Sequence, residues 1–207
     1  MELPPIRPLK LREIRSWAQD CDAIVFDLGK VLLDIDYQPS MDAFEALGAD
    51  LRLLDVNLPF FHDFETGELD AFGFREHLRA HVRWAVTDHQ LDQAWNALIL
   101  DMQPNWKHVL RRLGKDYRLG LLSNTNPIHI QDVSQRLGKF DWARFMRSFD
   151  AVGLSHHMGM RKPDLSIYAS MDAKLNITDP SRVLFLDDNL TNCEAAQSHG
   201  WKSTLFR

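Results

Sequence analysis

The chain has 207 residues, of which 45% are hydrophobic and 26% charged, with a formal charge of −5. That length suits one domain, or one domain carrying an insertion, and the composition is that of a globular protein with a sizeable core. The acidic balance argues against a nucleic-acid or anionic-membrane partner, though it leaves room for a local phosphate site.

The first stretch, Met1 to Pro8, is rich in proline and lacks the apolar centre of a signal peptide. No apolar run reaches the length of a membrane span, so no membrane partner is expected and the expected compartment is the cytoplasm. Leu9 to Gln19 reads as a short amphipathic helix, with Leu11, Ile14 and Trp17 on one side. Residues 1–20 thus form an N-terminal extension. Cys21 and Cys193 are too few and too far apart for a disulfide framework and read as reduced, buried, small apolar residues.

Ala23–Phe26 is the first strand pattern, an apolar run that ends abruptly in Asp27 and is followed by Gly29. After it the rhythm changes. Met41–Leu47, Ala71–Trp84 and Leu91–Leu100 read as helices with no strand between them, the last capped by Thr87 or Asp88. Such a block between the first strand and the rest predicts a helical cap over residues 36–103. Its aromatic segment, Phe60-Phe61-His62-Asp63-Phe64, reads as packing between helices, and the following Glu65-Thr66-Gly67 turn is the part expected to reach a substrate.

From residue 104 onward strands and helices alternate. Arg118–Leu122, Ser148–Leu154, Val183–Leu186 and Ser203–Phe206 are short, nearly continuous apolar runs, as strands covered on both faces read. Asn105–Leu113, Ile128–Leu137, Leu165–Leu175 and Leu190–His199 carry helical patterns. The prediction is an α/β, Rossmann-like, doubly wound parallel sheet built from residues 21–35 and 104–207, with an all-helical cap inserted.

Four ends of these segments carry polar chemistry: Asp27; Ser123-Asn124-Thr125-Asn126 ahead of Pro127; Arg161-Lys162-Pro163-Asp164; and Asp187-Asp188-Asn189. Each has a plain structural reading, as a turn cap, a helix cap, a surface charge and a loop pair. Adjacent carboxylates at a buried strand end are nevertheless costly without a cation. In an open α/β sheet the carboxyl ends of the strands are where ligands bind. Together the four ends supply a nucleophile, an anion cradle at a helix N-terminus, a fixed cation and a pocket for a hard metal. Elsewhere, His77 and His81 have zinc-like spacing but lack the accompanying glutamate, and His156-His157 reads as loop packing.

In order and context, Phe26-Asp27-Leu28-Gly29, Leu122-Ser123-Asn124-Thr125-Asn126, Gly159-Met160-Arg161-Lys162-Pro163 and Leu186-Asp187-Asp188-Asn189 with Asn192 resemble the four ordered motifs of the haloacid dehalogenase-like (HAD) hydrolases. The resemblance spans residues 22–207. Within that superfamily the chain looks most like small phosphatases with a helical cap, among them the bacterial α-D-glucose-1-phosphate phosphatase group, whose signatures resemble Phe64-Glu65-x-Gly67-Glu68 as well.

The resemblance implies a Mg²⁺-dependent phosphatase acting on a small phosphorylated metabolite such as a hexose 1-phosphate. Asp27 would attack phosphorus to form an aspartyl-phosphate. Lys162 and the N–H groups around Ser123 and Asn124 would cradle the phosphate, with Glu65 contacting substrate. Asp27, the Gly29 carbonyl and Asp188 would hold the metal, and Asp187 would support it directly or through water.

Position 29 departs from most phosphatases of the family, which carry there an acid that protonates the leaving alkoxide. Such help is typically worth about 10²–10⁴-fold. Three accounts are open. His62, Asp63, Glu65 or a water could substitute. The substrate could have a good leaving group, as a sugar 1-phosphate has. The protein could instead bind a phosphate ligand with weak catalysis. Glycine at 29 also fits 2-haloacid dehalogenases, which expel halide, but that branch uses no Mg²⁺ and does not keep the acidic pair represented by Asp187 and Asp188.

Overall fold

A computed structural model describes residues 8–50 and 58–206. Most of the proline-rich arm lies outside the described residues. Five strands form one parallel sheet in the order β5-β4-β1-β6-β7. They are β1 (Ala23–Phe26), β4 (Arg118–Ser123), β5 (Ala151–Leu154), β6 (Val183–Asp187) and β7 (Lys202–Leu205). A separate antiparallel ribbon pairs β2 (Leu33–Ile35) with β3 (Ile99–Met102).

The central strands are apolar throughout because both of their faces are covered. Ile24 and Phe26 of β1 join Leu119, Leu121, Leu184 and Leu186 in one apolar cluster. Ala23 and Val25 join Leu122, Val183 and Phe185 in another. This alternation is the period-2 geometry of a strand buried on both sides. The first cluster is closed by α1 (Leu11–Trp17), α6 (Trp106–Leu113) and α7 (Pro127–Met146), through Ile14, Val109, Leu113, Val133 and Phe145. The second is closed by α9 (Leu165–Leu175) and α10 (Leu190–His199), through Tyr168, Met171 and Ala196. The expected helix in the N-terminal extension is α1, which buries Ile14 completely. Cys21 and Cys193 are free and buried.

Among the described residues, four helices lie between β2 and β3: α2 (Gln38–Ala46), α3 (Pro59–Thr66), α4 (Ala71–Arg79) and α5 (Asp88–Asn96). They enclose an apolar cluster of their own around Phe44, Phe60, Phe61, Phe64, Phe74 and Leu91. Phe64 stacks on Phe74 at 4.0 Å between centroids, so most of the aromatic segment does serve packing. His77 and His81 stack on Phe60, which accounts for their spacing without a metal.

Several expectations are corrected. The apolar run ending at Leu100 is helix only to Asn96, and Ile99–Met102 is β3, because it finds β2 as a pairing partner. A short apolar run cannot be assigned by periodicity alone. The helix read over 71–84 stops at Arg79, whose guanidinium turns to Val86 and Asp88 across the following loop. Glu65 and Thr66 lie in the last turn of α3 rather than in a free turn, and Gly67 terminates the helix with φ of 77°. At that point a side chain would meet the His156 carbonyl at 2.4 Å, so glycine is required. The helix read over Leu165–Leu175 is α9, with Asp164 at its N-cap and Pro163 in the loop before it. Among the described residues no helix is long and apolar enough to cross a membrane.

The α5–α7 contact carries a buried ring. His129 stacks on Trp95 at 4.8 Å, and its Nδ1 lies 2.8 Å from the Asn96 Oδ1. Burial holds its imidazole down at about 3, so it stays neutral in the fold. The unfolded chain takes up this proton near the ordinary histidine value while the native state refuses it. The stabilisation is therefore complete above about pH 6.5 and lost as pH falls toward about 3, with a slope of at most about 1.4 kcal/mol per pH unit. Urea titrations across that range are expected to show this fall in the wild type and a shallower one in His129→Gln.

Candidate active site

The sheet order sets the site. From β1 the chain builds outward through β4 and β5, then crosses back to β6 and β7 on the other side. The carboxyl ends of β4, β1 and β6 therefore meet at the point where winding reverses, which is where such sheets bind ligands. Phe26 is level with Leu121 and Leu186, and the Asp27 N–H donates to the Leu186 carbonyl at 2.9 Å.

Lys162 enters this convergence from the loop before α9. It is 1% exposed. Its Nζ donates to Asp27 Oδ1 at 2.8 Å, Asp187 Oδ2 at 2.7 Å and the Leu122 carbonyl at 3.0 Å. Three donors thus meet three acceptors from three adjacent strands. Burial opposes the ammonium charge, but Asp187 and Asp27 outweigh it and raise the Lys162 pKa. Burial likewise raises the Asp27 carboxyl, against the pull of Lys162 and with a further push from Asp187.

The other predicted residues fall into different roles. Asn124 grips the Lys162 backbone from both sides, its Nδ2 donating to the Lys162 carbonyl and its Oδ1 accepting from the Lys162 N–H, each at 2.8 Å. Its side chain therefore positions the lysine and leaves the Asn124 backbone N–H outside this pair of bonds. In the first turn of α7, Asn126 Oδ1 accepts from the His129 N–H at 3.0 Å, which takes up one of the turn's backbone donors. Ser123 closes β4 and is 3% exposed. Ser155 clamps the loop behind it, exchanging hydrogen bonds of 2.9 Å with both backbone groups of Thr125.

Asp187 is fully buried and heavily committed. Besides Lys162 it accepts from the Asn189 N–H at 2.7 Å and from Asn192 Nδ2 at 3.1 and 3.2 Å. It is built to hold Lys162. Asp188 is more open, and its Oδ2 lies 3.8 Å from Lys30 Nζ. Burial and the neighbouring Asp187 raise its carboxyl. One oxygen from each of Asp27, Asp187 and Asp188 lies within 4.8 Å of the others. Such an all-oxygen set fits a hard cation like Mg²⁺ rather than zinc.

Of His62, Asp63 and Glu65, the fold brings Glu65 within the field of Lys162. Glu65 bridges cap and core, pairing with Arg161 at 3.0 Å, and burial raises its carboxyl against that pairing. His62 is exposed, and the Asp63 backbone carbonyl accepts from the Leu69 N–H. His156 packs its Nδ1 against the Thr125 carbonyl at 3.1 Å, from the one-turn helix α8 (Ser155–Met158) rather than from a loop. Sequence reading missed Ile35. A β-carbon at position 29 would stand 2.8 Å from the Ile35 Cδ1, so a side chain there would emerge against the terminal methyl of an apolar neighbour, which would have to turn aside.

Comparison with known proteins agrees with this geometry. The family model described as haloacid dehalogenase-like hydrolase matches residues 21–200. The D-ribitol-5-phosphate phosphatase of Bacteroides thetaiotaomicron is 30% identical over 184 residues, which is 87% of this chain and 89% of that protein. A crystal structure of the HAD family enzyme bt-2542 from Bacteroides thetaiotaomicron, in complex with magnesium and inorganic phosphate, superimposes with a TM-score of 0.79 at 28% identity, covering 89% of this chain and 93% of that one. A predicted HAD-like family hydrolase from Porphyromonas gingivalis gives a TM-score of 0.79 at 32% identity, covering 89% and 90%.

Removing the ammonium leaves two carboxylates buried against each other. Lys162→Met is therefore expected to lose about 3–5 kcal/mol of stability in chelator. Added divalent cation should raise its melting temperature more than that of the wild type, because it supplies the missing positive charge.

Proposed function

This chain belongs to the haloacid dehalogenase-like hydrolase family, and on that premise we propose that it is a Mg²⁺-dependent phosphatase of small phosphate monoesters. The observation that carries the reading is Asp27, held at 2.8 Å by a buried ammonium and standing beside the more open Asp188. A nucleophilic carboxylate needs its own charge balanced, and so does the phosphate it approaches. The relative that acts on D-ribitol 5-phosphate points to sugar and sugar-alcohol phosphates as the substrate class, hexose 1-phosphates included.

In this mechanism Asp27 attacks phosphorus and forms an aspartyl-phosphate, which water then hydrolyses. Lys162 keeps one carboxylate oxygen of Asp27 fixed, so that the carboxylate has a set direction of approach. Asp187 and Asn124 keep Lys162 in place. Ser123 lies at the end of β4, where its hydroxyl can meet a phosphate oxygen. Asp27, Asp188 and the Gly29 carbonyl would hold Mg²⁺, which when bound supplies positive charge against the phosphate. The carbonyl offered by position 29 does not depend on a side chain, so glycine there leaves that ligand intact. Glu65, anchored to Arg161, faces the leaving group from the cap.

Asp27→Asn is expected to lower turnover of phosphate esters by at least about 10³-fold while inorganic phosphate still binds with Mg²⁺, as read by calorimetry. Wild type that releases no phosphate from any sugar phosphate, but releases halide from a 2-haloacid without metal, overturns the phosphatase reading in favour of the dehalogenase.

A further inference from the structure

The mouth of the site contains a second lysine placed with unusual care. Lys30 follows Gly29 directly and has φ of 55°, in the left-handed region. A residue with a β-carbon costs about 1–2 kcal/mol there, and glycine would remove that cost. The strain is held by the Lys30 N–H, which donates to the Leu33 carbonyl at 2.7 Å. Residues kept in such conformations cluster at functional sites.

The ammonium it carries is aimed. Lys30 Nζ lies 4.7 Å from the centre of the Tyr37 ring and 3.8 Å from Asp188 Oδ2. Tyr37 is the residue where the ribbon passes into α2, and it is 52% exposed. Burial, and then the charges of Asp188, Asp27 and Glu65, raise its phenol, so the ring stands among the same carboxylates. Lys162 spends its three donors inside the protein. At 3.8 Å from Asp188, Lys30 is beyond a hydrogen bond and keeps its donors for something else.

We propose that Lys30, held over the Tyr37 ring, is a catalytic residue for the leaving group and supplies the electrostatic help that position 29 does not. The proposal rests on the phosphatase reading. An Asp27 oxygen forms its bond to phosphorus while the ester P–O bond breaks, and the electron pair of that bond passes to the leaving oxygen. The Lys30 N–H hydrogen-bonds that oxygen as its charge grows, and the oxygen takes its proton from water at the mouth. Glycine at 29 offers no side chain to the leaving group, and the cation one residue further on, Lys30, takes the place of the acid.

The test separates leaving groups. Ribitol 5-phosphate expels a poor one and p-nitrophenyl phosphate a good one. Lys30→Met is expected to lower kcat/KM for ribitol 5-phosphate by about 10²-fold and for p-nitrophenyl phosphate by only about threefold. Lys30→Arg should restore most of the difference, and Tyr37→Ala should reproduce part of it while Tyr37→Phe does not. Calorimetry with Mg²⁺ alone should show Lys30→Met binding the ion at least as tightly as wild type, because a competing cation beside Asp188 is gone. An equal fall for both esters overturns the proposal, as does weaker Mg²⁺ binding that accounts for the loss. Wild type that turns over neither ester overturns the phosphatase reading and this inference with it.

Discussion

A buried ammonium ties the molecule together. Lys162 is 1% exposed, and it is tolerable there only because Asp27, Asp187 and the Leu122 carbonyl all reach it. An unpaired charge at such a place costs several kcal/mol. The three acceptors belong to the ends of β1, β6 and β4, so the lysine requires those strands to be neighbours in one register. A one-residue slip would turn every inward side chain outward and strand the charge. The cluster proposed as the reaction centre is thus also a condition on the sheet.

Around this centre the remaining parts fall into order by how much they are already spent. Asp187 is saturated by Lys162, the Asn189 N–H and Asn192. Asn124 is used up on the lysine backbone. Asp188, Lys30 and Tyr37 are the more open groups, and they lie together beside Asp187. Glu65 of α3 pairs with Arg161, and the aromatic cluster of Phe60, Phe61, Phe64 and Phe74 packs α3 against α4. At position 29 this chain has glycine, and the Ile35 terminal methyl lies where a β-carbon there would emerge.

Much of this was legible in the residues. Apolar runs that stop at a carboxylate or a small polar residue marked β1, β4 and β6 to within a residue, because strands buried on both faces cannot carry polar groups until they end. The helix-only stretch between β2 and β3 was legible for the converse reason. Misreadings came where a local pattern had two solutions. Ile99–Met102 became a strand only because β2 was there to pair with it. Glu65 ended a helix because Gly67, pressed against the His156 carbonyl, set the stop. Ile35, Lys30 and Tyr37 gave no sequence signal as site residues, since an isoleucine, a lysine and a tyrosine in a turn look like packing and surface.

What the sequence determined by itself was the inventory: Asp27, Ser123, Lys162, Asp187 and Asp188, each at a predicted segment end, with glycine two residues after the first. Residue chemistry and strand periodicity are local properties, and they survive without coordinates. What only the tertiary structure decided was the division of labour among those residues. Hydrogen-bond capacity is finite and is consumed by neighbours distant in sequence. Which carboxylate is saturated, which amide clamps a backbone, and which lysine is left facing the mouth all follow from contacts across the sheet.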